Sequence, residues 1–125
     1  MTDWFSRPVL HVTDTEASVR FYVGQLGFTA AWRHEEHGKL IAAEVDRDGC
    51  ALILANTWPE KAGDGTMFIS LNTEPPSKEA QAAAVDALRA EFTRHGAVVE
   101  DGWWGYRVIK VADPDGNTLL FNYAD

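Results

Sequence analysis

Two kinds of side chain in this sequence have the chemistry for a site: imidazoles with carboxylates, and tryptophan rings. Histidine nitrogens and carboxylate oxygens hold first-row divalent ions that act as Lewis acids, and a lone histidine can act as a general base. The densest run of such groups is His34-Glu35-Glu36-His37. A helical zinc site needs its two histidines at i and i+4 on one face. Here they stand at i and i+3 ahead of Gly38, at an expected hairpin end, so the run reads as a solvated turn. His11 lies in the apolar run Val9-Leu10-His11-Val12 with no obvious carboxylate partner, the setting of a packed or hydrogen-bonded imidazole. The sequence has no Gly-rich phosphate loop, no Ser/His/Asp set and no paired Cys motif. It does carry five tryptophans in 125 residues, and aromatic faces stack on planar ligands and attract cations.

The elements that must position these groups follow from hydrophobic period. Val19, Tyr22 and Leu26 recur at i, i+3, i+7, and Val85, Leu88 and Phe92 repeat the pattern, so two amphipathic helices are expected. The first starts near Thr13 to Thr15, with Asp14 as cap, and stops at Gly27; the second starts near Ser77, after Pro75-Pro76, and stops at Gly96. One short strand precedes each helix (Val9 to Val12; Met67 to Leu71) and three follow. After the first helix come Thr29 to His34, Leu40 to Val45 and Cys50 to Ala55; after the second come Val98 to Glu100, Tyr106 to Ala112 and Thr118 to Tyr123. Turns are expected at His37-Gly38, Arg47-Asp48-Gly49, Gly102 and Asp115-Gly116-Asn117. The chain thus reads as an α+β fold in which βαβββ is written twice, about 5–60 and about 64–125, within a single domain. Strand alternation places Arg7, Val9 and His11 on one face of the first strand, Phe68, Ser70 and Asn72 on one face of the strand opening the second half, and Thr118, Leu120 and Asn122 on one face of the last. These mixed faces would line the concave side of a curled mixed sheet, a natural ligand groove.

Composition narrows the classes. With 46% hydrophobic and 24% charged residues the chain sits among ordinary soluble domains. No apolar run approaches the roughly 20 residues of a membrane span, and Met1 to Arg7 lacks the basic and apolar regions of a secretion signal, so a cytoplasmic protein without a membrane partner is expected. Cys50 is the single cysteine, which rules out an intrachain disulfide and suits a small buried hydrophobe. A net charge of −8 repels nucleic-acid phosphates and is compatible with a cationic ligand.

Pro8-Val-Leu-His-Val-Thr-Asp14, Phe21-Tyr22, Leu26-Gly27-Phe28 and Asp113-Pro-Asp-Gly-Asn-Thr-Leu-Leu-Phe121 together resemble the vicinal oxygen chelate superfamily of glyoxalases, bleomycin-resistance proteins and extradiol dioxygenases. The resemblance covers essentially the whole chain and implies the paired βαβββ fold derived above. It also implies that catalytic members hold a divalent metal through His and Glu on the concave faces. Anchored on Asp14 and on Asp113-Pro-Asp-Gly, those ligand positions fall at or near Arg7, Ile53, Phe68 and Leu120, so no metal, no cofactor and no catalytic residue is expected. Trp103-Trp104-Gly105-Tyr106-Arg107 is similar to the aromatic loop of the bleomycin-resistance branch, and Trp32 stands where that branch carries an aromatic beside the drug groove.

The resemblance therefore implies a metal-independent antibiotic-binding protein that sequesters a planar cationic drug at the interface of a domain-swapped homodimer. The expected ligand-binding set is His11, Trp32, Trp58, Phe68, Trp104, Tyr106, Arg107, Leu120 and Asn122, with Glu35, Glu36, Glu100 or Asp101 drawing the cationic tail. Two readings compete: an enzyme with a shifted metal site that includes His11, or with His11 as a metal-free general base, and a binding protein for another metabolite.

Overall fold

A computed structural model describes residues 1–124. Strand β1 (Val9–His11), helix α1 (Thr15–Gly24) and strands β2 (Thr29–Glu36), β3 (Lys39–Arg47) and β4 (Cys50–Ala55) form one four-stranded sheet in the order β1-β4-β3-β2. A short 3₁₀ turn at Pro59–Lys61 leads to the second set: β5 (Thr66–Ile69), α2 (Lys78–Arg94), β6 (Glu100–Trp103), β7 (Arg107–Ala112) and β8 (Thr118–Asn122), ordered β5-β8-β7-β6. In both sheets the first strand runs parallel to the last, and the other neighbours are antiparallel. The fold is therefore α+β, with the same mixed sheet built twice.

Local chemistry sets the element ends. The Asp14 carboxylate accepts from Ala17 N at 3.0 Å and the Ser77 hydroxyl from Ala80 N at 2.9 Å, each satisfying an amide that has no partner within its helix. Val19, Tyr22 and Leu26 of the first half, and Val85, Leu88 and Phe92 of the second, are the buried stripes the period foretold. Phe92 meets Phe121 edge-on at 5.7 Å. Each such side chain removed from water contributes about 1.5–3 kcal/mol.

Strands β1, β2, β3, β5, β7 and β8 differ from expectation by one or two residues at their ends, and β6 departs the most. The pairing segment of β6 is Glu100–Trp103 rather than Val98 to Glu100, and Gly102, expected as a turn, lies inside it opposite Val108. The reversal occurs instead at Gly105, whose φ of 72° suits glycine, and Trp104 N donates to Tyr106 O at 2.9 Å. That tight closure sets Trp103 opposite Arg107, so the ladder runs back only to Glu100.

The two halves are pinned together by side chains from the turn after β7. Asp113 is buried and accepts from the Tyr22 hydroxyl, the amides of Asp115 and Asn117, and the Asn117 side chain. Asp115 takes the Thr13 amide and hydroxyl, and Asn117 bridges His11 O to Gly65 N. Across the molecule, Arg47 of β3 makes a two-pronged pair with Glu91 of α2 at 2.6 and 2.9 Å and also caps Leu26 O.

Candidate functional site

The faces turned away from the helices carry the candidate groups. On the first sheet, register aligns Val9, Ile53, Glu44 and Trp32 across all four strands. Arg7, just before β1, reaches into this row and donates to Glu44 Oε1 at 2.8 Å, while the Trp32 indole donates to the same oxygen at 3.1 Å. Glu44 is only 6% exposed. The Arg7 guanidinium holds its carboxyl below the usual carboxylate range, whereas burial foremost, and then Glu44 beside it, pushes the Asp46 carboxyl up. Asp46 Oδ1 is buried without a hydrogen-bond partner. Glu44 was not singled out from the sequence, although a lone carboxylate in the apolar strand Leu40-Ile-Ala-Ala-Glu-Val45 is a legible sign of a buried acid.

One row along, His11 is opposite Ala55, Ala55 opposite Ala42, and Ala42 opposite His34. The His11 ring packs on Trp58 at 5.4 Å, and the Lys61 ammonium covers the Trp58 ring at 4.7 Å. His11 Nδ1 is buried without a hydrogen-bond partner among the described residues. His34 bonds Glu36 at 3.0 Å on the exposed β2, and His37, with φ 53°, begins the hairpin turn, as its neighbour Gly38 suggested.

On the second sheet the matching row is Phe68, Leu120, Lys110 and Glu100. Trp104 and Tyr106, from the β6–β7 turn, lie 5.2 and 6.2 Å from the Phe68 ring, giving three half-exposed aromatics beside the buried Leu120. Asn122 follows on the same face and accepts from the Ser70 hydroxyl at 2.7 Å. Arg107 is not part of this group. Its guanidinium stacks at 4.0 Å on Tyr123, whose hydroxyl donates to Asp86 at 2.6 Å on the helix side. Alternation explains it: Arg107 shares its face with the buried Ile109 and Val111. Of the carboxylates expected to draw a cation, Glu36 is taken up by His34 and Asp101 by Arg89, while Glu35 lies 3.9 Å from Arg33. Glu100 faces Lys110 across the ladder.

A family model described as the Glyoxalase/Bleomycin resistance protein/Dioxygenase superfamily matches residues 4–121. The chain belongs to this superfamily. Bleomycin resistance proteins from Geobacillus stearothermophilus and Staphylococcus aureus are 27% identical to it over 124 residues, covering 93% of each chain. In fold it is similar to the bleomycin-binding protein of bleomycin-producing Streptomyces verticillus, solved with copper(II)-bleomycin, at a TM-score of 0.71 and 24% identity over the full length of both chains. It is similar also to TnmS3, an antibiotic binding protein from Streptomyces sp. CB03234, at a TM-score of 0.71 and 22% identity over 98% of this chain and 97% of that one.

The positions at or near which the resemblance puts metal ligands carry Arg7, Ile53, Phe68 and Leu120, and these side chains do not fit a metal. Arg7 is itself a cation, held by Glu44, and the other three have no donor atom. Among the described residues no group of three or more His, Cys, Asp or Glu side chains is placed to hold a metal ion. Among the described residues no helix is long and apolar enough to cross a membrane.

Proposed function

We propose that this chain is a cytoplasmic, metal-independent binding protein that sequesters a planar, cationic drug of the bleomycin type, in a groove completed by a second copy of the chain. The observation that carries this reading is the exposed aromatic patch in which Trp104 and Tyr106 of the β6–β7 turn gather beside Phe68, a position that the family resemblance assigns to a metal ligand. Planar heterocycles stack on such rings for about 0.5–1.5 kcal/mol beyond their burial. On the opposing sheet Trp32 offers a second ring, and the net charge of −8 attracts a cationic tail.

The places of the aromatic groups support the dimer. Trp32 and Trp104 belong to different sheets, and a groove walled by both types of patch forms when one copy's first sheet faces the other's second. Trp4 and Phe5, 96% and 70% exposed in the single chain, supply apolar surface for such an exchange. Quenching of tryptophan fluorescence on titration with bleomycin tests the reading. A saturable change below tens of micromolar drug supports it, and an unchanged spectrum rules that ligand out.

A further inference from the structure

A cavity of about 630 Å³ opens on the helix side of the molecule, between the β3–β4 turn and helix α2, away from the proposed drug groove. Ser70 and Asn72 of the groove-facing row border it just past the end of β5, but none of the expected ligand-binding residues named above lines it. Its origin lies in the repeat. Tyr22 of α1 corresponds in the stripe pattern to Leu88 of α2, and the β7–β8 turn that begins with Asp113 corresponds to the β3–β4 turn at Asp48. In one half of the molecule the Tyr22 ring fills the space between helix and turn, and its hydroxyl donates to Asp113 at 3.0 Å. In the other half the shorter Leu88 leaves that space open, with Asp48 and Gly49 on its far side.

We infer that this cavity is a second binding site, for a small aromatic molecule carrying a hydroxyl or amino donor, which takes the place that a tyrosine takes in the equivalent position. The volume falls within the range of about 300–1,000 Å³ typical of small-molecule sites. Phe28, Phe92 and Phe121 offer ring faces and edges to an aromatic guest. Charge at the rim selects among guests. Arg47 is occupied by Glu91 and Leu26 O, and with Asp48 the three side chains sum to one negative charge, so a phenol or an aromatic amine suits the rim and a carboxylate does not. This site stands independently of the drug groove.

Cys50 lines the cavity, is half-buried and is the only thiol in the chain, so it reports on occupancy. The test measures Cys50 alkylation by iodoacetamide at mildly alkaline pH, by intact mass, with tyramine or 4-hydroxyphenylacetate as probes. Saturating tyramine slows labelling at least tenfold, and 4-hydroxyphenylacetate at the same concentration does so severalfold less. Leu88→Tyr restores the internal plug, so its Cys50 labels slowly with no probe and tyramine adds no protection; Ala84→Leu, which narrows the same cavity, gives a second reading should Leu88→Tyr misfold. Labelling of the parent chain that is unmoved by millimolar tyramine overturns the inference. So does equal protection by the two probes, or protection that follows chain concentration rather than probe, which would mean that a second copy covers the mouth.

Discussion

Trp104 and Tyr22 divide the aromatic work of this chain, one displayed and one sealed. Trp104 is 60% exposed and touches Phe68, so Trp104→Ala removes ring contact with a ligand while leaving the core intact. The expected result is bleomycin affinity lowered about two- to twelvefold, from roughly 0.5–1.5 kcal/mol of lost stacking, with the urea midpoint nearly unchanged. Tyr22 is fully buried and donates to the Asp113 carboxylate. Tyr22→Phe leaves one lone pair of that carboxylate unserved and costs about 1.5–3 kcal/mol in urea denaturation. The same pair predicts a pH response. Burial foremost, and then Asp113, raises the Tyr22 hydroxyl well above an ordinary tyrosine. Its contribution is therefore complete below the unfolded value of about 10 and is lost as pH climbs toward the raised folded value. Tyr22→Phe flattens that alkaline limb of the stability profile. An unchanged limb would mean that another group titrates there. Glu44 works with the opposite sign: Arg7 lowers its folded pKa, so its contribution holds above the unfolded value and falls away in acid.

At the level of elements, most of the architecture was legible because its signals are local. The i, i+3, i+7 stripes located both helices, and Asp14 and Ser77 marked their starts because a short acceptor side chain before an apolar stripe satisfies free amides. β4 begins and ends where its apolar run does. β6 was misplaced because Val98 and Val99 favour a strand by propensity, whereas pairing is fixed from the far end by the Gly105 reversal. The loop resemblance groups Arg107 with Trp104 and Tyr106, whereas strand alternation sends its side chain to the other face, onto Tyr123. The segment joining the halves contains a tighter constraint. Gly63 has φ 88°, and a Cβ there would lie 2.2 Å from the Asp115 carbonyl oxygen. Gly63→Ala is expected to destabilise by more than about 1 kcal/mol through backbone strain and displacement of the Asp113–Asn117 turn, read as a lowered urea midpoint. Gly38→Ala, with open space around its Cβ position, shows the φ effect without the clash.

For the whole molecule, the relation between the two halves was the part that sequence left unread. Tyr22 with Asp113 and Arg47 with Glu91 are separated by 91 and 44 residues, and no local period announces such pairs. Glu44 was missed for a related reason, since its burial depends on Arg7 and Trp32 arriving from other strands. The proposed groove belongs to this scale as well. Sedimentation is expected to give a species of twice the chain mass at micromolar concentration, and Trp4→Ser with Phe5→Ser is expected to shift it toward monomer and weaken drug binding in parallel. A monomer that retains full drug affinity would place the groove within one chain.

The turn after β7 belongs to the second half by sequence and to the first half by what it touches, holding Thr13, Tyr22 and the end of β1. A chain cut in the 62–64 segment would therefore yield two peptides that each lack part of their own support. Expressed apart, they are expected to aggregate or stay unfolded; expressed together, they are expected to reassemble. The two βαβββ units are thus complementary parts rather than independent ones, each finished by contacts that only the other supplies.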